Sequence, residues 1–192
     1  SQQTERLSDW FAKAVVIDAP SHMSLVNEDQ VMQWGYSSDE VFTVGFENLK
    51  NATTPRFSED RGVFKGMWND DYDSSRILLP GLFDDLPLKG EPVVTIPNRL
   101  TLLVAGSEDH DAIVRMLETA EEIIRTQAKA QNPAPLLIRN GAIEDFSVEP
   151  ASPVFNQVER AKRIAALLYY QEQKQALEKL YEKNGKDFFV AS

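Results

Sequence analysis

The chain has 192 residues, with 20 basic side chains against 30 acidic ones, a formal net charge of −10 and no cysteine. That balance works against DNA, RNA and anionic membrane surfaces, whose negative charge it repels. The lack of cysteine removes disulfides, thiol catalysis, iron–sulfur clusters and thiolate zinc sites together.

A hydrophobic fraction of 42% is enough for a packed core. No apolar run approaches the ~20 residues of a membrane span. The chain starts at Ser1 rather than Met, which leaves room for an upstream segment, and no signal-peptide pattern is seen. The expectation is one α+β domain over residues 1–192, in the cytoplasm.

Leu7, Trp10, Phe11 and Ala14 recur at i, i+3, i+4 and i+7, which predicts a short N-terminal helix. Residues 15–17 are β-branched and read as a strand running into a loop at 19–21. Two helix starts follow. Asn27 with Gln30, and Ser37 with Glu40, fit the capping box: the cap oxygen takes an orphan N–H and the third residue reaches back. Gly35 between them is placed to end the first helix. The second is expected to bury Phe42, Phe46 and Leu49.

Residues 56–68 read as a hairpin turning at Asp60-Arg61-Gly62. The stretch 70–86 reads as one short helix on each side of Pro80-Gly81. Strands are predicted at 93–96 and 100–105, joined by a turn at 96–99. Ser107 is taken as the N-cap of a helix that buries Ile113, Met116, Leu117, Ala120 and Ile124, ended by Asn132-Pro133-Ala134-Pro135. Asn140-Gly141 then calls for a type I′ hairpin that sets Ile138 opposite Ile143.

From Phe155 the pattern is helical to about Lys183, with Gly185 as the stop and 188–190 as a last strand. That helix is ~43 Å long, against a domain diameter of roughly 40 Å for a chain of this size, so it spans or overshoots the body. Residues 155–192 carry 7 basic and 5 acidic groups, whereas residues 1–154 carry 13 and 25. The tail is therefore matched in charge to the body or to a second copy of it. The expected architecture is an antiparallel sheet of about five strands packed against helices and closed by the long C-terminal helix.

Several ordered motifs resemble one known family. They are Glu28-Asp29-Gln30-Val31 leading to Trp34-Gly35, Asn48-Leu49, the run from Asp71-Tyr72-Asp73-Ser74-Ser75-Arg76 to Pro80, Gly90, Pro92-Val93-Val94, Ile96-Pro97-Asn98-Arg99, Leu102-Leu103-Val104 and Gly106-Ser107-Glu108. Together they are similar to a bacterial family of unknown function, the YtpQ-like (DUF1444) proteins. Leu100 stands where that family prefers an acidic residue. The resemblance implies a soluble bacterial protein and transfers no catalytic residue. The element order, read as α-β-β-β-α-β-β-α, also resembles that of type III secretion chaperones, which are small, acidic, dimeric binders of extended segments; this is analogy of fold alone.

No nucleophile elbow, dinucleotide loop, P-loop or zincin motif occurs. Asp70, Asp71 and Asp73 could gather a hard cation. An EF-hand reading fails, since counting from Asp71 puts Arg76 at the required glycine and Leu82 at the bidentate glutamate. The competing reading is a solvated turn. Arg76 and Arg99 border apolar runs, so each needs a carboxylate, which Asp73 or Asp71 could supply. In the functional version a guanidinium forks onto a bound peptide.

His22 in a loop and His110 in a first helical turn show no ligand spacing. Tyr169-Tyr170 point ~100° apart, so both cannot face one core stripe, which makes them interface candidates. The candidate binding residues are thus Asp71, Asp73, Arg76, Asn98 and Arg99, with no cofactor and no metal. The leading expectation is a non-catalytic, chaperone-like module that binds a protein or peptide segment, as a homodimer. The alternative is a metal-dependent hydrolase built on Asp70, Asp71 and Asp73.

Overall fold

The computed structural model describes residues 4–19, 22–127 and 130–183, and ten strands and four α-helices form within them. The N-terminal segment is a ribbon, not a helix: β1 (Thr4–Arg6) pairs antiparallel with β2 (Ala12–Ala14). Leu7 and Ser8 both donate to the Phe11 carbonyl and close its turn. The helical spacing of Leu7 and Phe11 arises because the loop folds back, and Phe11 packs on the sheet below.

A second ribbon joins β3 (Val16–Ala19) to β4 (His22–Leu25), so His22 opens a strand where the sequence suggests a loop. Residues 20 and 21 of the expected 19–21 loop lie outside the described residues, as do Gly185 and the strand expected at 188–190.

Both capping boxes form. Asn27 starts α1 (Glu28–Trp34), Gly35 ends it in the left-handed conformation at φ 73°, and Ser37 starts α2 (Ser38–Asn51). Val26, Val31 and Val41 bury against each other beside Val15 and Ile17. This small core turns the apolar face of α2 away from the main one. Phe42 and Leu49 are consequently only half-buried and Phe46 is exposed, contrary to the burial expected from their spacing.

The main sheet has six antiparallel strands rather than about five, in the order β10-β9-β7-β8-β6-β5. Hairpin β5 (Phe57–Asp60) and β6 (Val63–Gly66) turns at Arg61-Gly62, both at positive φ, as its Asp-Arg-Gly signal requires. Strands β7 (Pro92–Asn98) and β8 (Thr101–Gly106) turn at Arg99-Leu100, two residues later than predicted, because Pro97 and Asn98 continue the strand.

Two 3-10 helical turns, Ser74–Leu78 and Pro80–Phe83, stand between β6 and β7. The second begins with Pro80-Gly81 instead of following it. Four strands separate α2 from the next helix, as the hairpin at 56–68 and the strands at 93–96 and 100–105 predict, which is one more than the chaperone-like order has.

Helix α3 (His110–Thr126) is capped by Asp109, whose side chain accepts from the Ala112 amide, and not by Ser107. The Ser107 hydroxyl instead accepts from the Glu91 amide at 2.9 Å and ties the end of β8 to the start of β7. Ile123 is buried where Ile124 was expected, and Ile124 is half-buried.

Residues 132–135 do not end α3. They lie inside β9 (Ala130–Arg139), where residues 133–135 together oppose Thr95 alone. The bulge tolerates two prolines because β10 (Ala142–Asp145) covers β9 only from Leu136 onward. Ile138 faces Ile143 across the Asn-Gly turn as predicted.

One face of the sheet packs on α3 and on α4 (Phe155–Lys183), through Leu103, Leu137, Ile113, Met116, Val158 and Ala161. The other face packs under the 3-10 turns, through Phe64, Ile77, Phe83, Val94, Leu102 and Leu136. The N-terminal ribbons and α2 lie on this second side, and the site described next is built there. Past Leu168 the helix has run out of sheet to cover, and Leu177 and Leu180 are exposed. No described helix is long and apolar enough to cross a membrane.

Candidate functional site

The candidate residues named from sequence form two ion-pair systems: Asp71 serves Arg99 as one of the two carboxylates expected, whereas Arg76 takes a different one. Arg76 is fully buried, and its guanidinium forks onto Asp70, not Asp71 or Asp73, at 2.7 and 2.6 Å. Its Nε donates to the Thr53 hydroxyl at 3.0 Å, and its plane lies 4.5 Å from the Trp68 ring centroid. Asp70 is held below the ordinary carboxylate range, chiefly by the hydrogen bonds from Arg76.

Asp71, at φ 68°, pairs with Arg99 at 3.2 Å, and Arg99 also contacts the Met23 sulfur at 3.5 Å. Asp73 is buried. One of its oxygens accepts from the Asn69 amide at 3.4 Å, and the other has no partner among the described residues. Asn98 belongs to neither system. Its side chain donates to Gln127 at 3.0 Å and accepts from the Leu100 amide at 3.0 Å, which fixes the β7–β8 turn.

These contacts fasten segments to one another. Arg76 joins the end of α2 to the 3-10 turns, and Arg99 joins β4 to the same loop. Tyr72 adds a third tie: its hydroxyl donates to Asp18 of β3, and this bond, ahead of burial, pushes the phenol up to about 12. Asp70, Asp71 and Asp73 do not converge, and among the described residues no group of three or more His, Asp or Glu side chains is placed to hold a metal ion.

The concave surface lies beside this scaffold. A trough of about 730 Å³ runs between α2, β3 and the edge strand β10, walled by Phe42, Phe46, Leu49, Val16, Leu78 and Ile143. A smaller lobe of about 390 Å³ continues under β2 to Trp10, Phe11, Leu168 and Tyr169. Leu7, Lys13, Ala14, Ser75 and Leu78 line both lobes.

None of Asp71, Asp73, Arg76, Asn98 and Arg99 lines either lobe. Tyr169 does, whereas Tyr170 does not, so the adjacent tyrosines part as their angular spacing requires. Sequence reasoning missed the trough. Its one usable signal was α2, whose apolar stripe Phe42, Phe46 and Leu49 has no core to enter. No family profile, no curated protein and no solved structure matches the chain.

Proposed function

We propose that the chain is a non-catalytic module that holds an extended segment of another protein in this trough. The observation that carries the reading is an apolar trough of about 730 Å³ lying against strands with free edges. Among the described residues β10 ends the six-stranded sheet, and β2 and β3 each have one neighbour. An extended segment laid there would gain backbone hydrogen bonds from an edge and place alternate side chains among Phe42, Leu49 and Ile143. Pocket volume and lining fit the usual range for a binding site. The metal-hydrolase alternative has no comparable support, since its three carboxylates face separate partners. Membership of the YtpQ-like family is part of the proposal, supported by the ordered motifs at 71–80 and 96–99.

Hydrogen exchange tests the reading. A saturating apolar peptide is expected to slow exchange at the amides of β2 or β10 and to leave the centre of α3 unchanged. Protection confined to α4, or none, would refute it.

The second part of the proposal is a homodimer through the outer half of α4. Tyr170, Leu177 and Leu180 fall on one stripe at i, i+7 and i+10, with Leu177 40% and Leu180 52% exposed. One contact of the tail with the body is made inside the chain, where Arg160 forks onto Glu121 at 2.8 and 2.5 Å. Residues 166–183 carry three acids and three bases, so two such helices do not repel. Light scattering is expected to give a dimer mass for the native chain and a monomer for Leu177→Glu/Leu180→Glu. A monomeric native chain at high concentration would remove the dimer and leave the trough reading untouched.

A further inference from the structure

We propose that the trough takes the carboxylate end of an apolar peptide, with Lys13 as its anchor; this rests on the peptide-holding reading above. The chain as a whole is strongly acidic, yet the charged residues on the trough walls are Arg6, Lys13, Asp18 and Glu172. Asp18 already accepts the Tyr72 hydroxyl.

Lys13 stands where the two lobes meet and lines both. Its side chain is 26% exposed, against 74% for Arg6, so it is the cation whose field is least weakened by water. The ammonium lies 5.1 Å from the Phe42 ring centroid, at the head of the apolar wall. Its partner, Glu5 at 2.9 Å across the β1–β2 ribbon, is 58% exposed and returns to water readily when a second carboxylate arrives.

A peptide carboxylate seated on Lys13 leaves the preceding side chains over Phe42 and Leu49. It also leaves the peptide backbone beside β2, which among the described residues pairs with β1 alone. A fatty acid offers the same carboxylate and apolar run but cannot use the strand edge, which favours the peptide.

The test titrates the whole chain with an octapeptide of alternating valine and serine ending in a free carboxylate, with the same peptide as its C-terminal amide, and with dodecanoate. The acid is expected to bind about tenfold more tightly than the amide, equivalent to about 1.4 kcal/mol. Lys13→Gln should erase that preference, and Glu5→Gln should widen it by releasing the ammonium. The two variants act in opposite directions, which a general loss of folding cannot imitate.

Equal binding of acid and amide would overturn the anchor and leave the peptide reading standing. Binding of neither peptide would overturn both. Dodecanoate binding without the peptides would overturn the peptide as ligand in favour of a lipid chain.

Discussion

Asp70→Asn is expected to lower the stability of the fold by about 2–3 kcal/mol, a fall in Tm of about 5–10 °C for a chain of this length. Arg76 is 0% exposed, and removing its carboxylate strands a guanidinium that water cannot reach. The full penalty for breaking a buried pair is about 3–5 kcal/mol. Asp70 is itself 38% exposed, so solvent recovers part of the loss and the lower figure applies.

Arg76→Met should be milder than Asp70→Asn. It replaces the guanidinium stack on Trp68 by a thioether contact and leaves Asp70 free to be hydrated, and the Thr53 hydroxyl still donates to the Leu49 carbonyl at 2.6 Å. Combining both substitutions should therefore restore stability relative to Asp70→Asn alone. Urea unfolding of the four proteins measures the cycle. Additive losses would show that the pair does not act as a unit.

The same pair sets an acid limb. The pKa of Asp70 is lowered in the folded state by Arg76. Its contribution is thus complete above the unfolded value of about 3.9 and is lost as pH falls through the lower folded value. Asp70→Asn should flatten the stability profile below about pH 4. Added salt should weaken the exposed Arg160–Glu121 pair far more than this buried one.

Local signals in the chain proved reliable at most caps and turns, though not at Ser107, where Asp109 caps instead, or at 96–99, where the turn comes two residues later. Asn27 with Gln30, Ser37 with Glu40, Asn140-Gly141 and the register of Ile138 on Ile143 all follow from chemistry within four residues. The α+β class and the long final helix were legible for the same reason.

What failed depended on distant partners. Residues 132–135 carry two prolines and look like a stop, but a bulge opposite Thr95 and the short reach of β10 leave them room in a strand. Leu7 and Phe11 have helical spacing because a ribbon turn brings them to the same side. Asp70, rather than Asp71 or Asp73, reaches Arg76 because Asn69 and Asp71 take left-handed backbone and swing the intervening carboxylate inward. The trough was invisible because its walls come from segments far apart in the chain, each of which alone reads as ordinary packing.

Gly45→Leu should leave the chain at least as stable as the native one while reducing peptide affinity by more than tenfold. Gly45 sits in the middle of α2, where glycine is disfavoured by about 1 kcal/mol relative to alanine. A Cβ there would meet only the Val15 methyls, at 3.7 and 3.8 Å, which is ordinary contact. Steric crowding therefore does not require glycine at this position, and its backbone does not take positive φ.

What the missing side chain leaves open is the wall of the trough between Phe42 and Leu49. Side chains on a helix lean toward its N-terminus, so a leucine at 45 would extend over the Phe42 turn and fill the space assigned to the ligand. Gly45→Ala should raise Tm with little change in binding, and Gly45→Leu should keep the gain and lose the ligand. Calorimetry for stability and anisotropy with a labelled peptide separate the two quantities. Undiminished affinity in a well-folded Gly45→Leu protein would show that the segment binds elsewhere. A lower Tm for Gly45→Ala would mean that the ribbon at Val15 approaches α2 more closely than 3.7 Å implies, and that the glycine serves packing instead of an open wall.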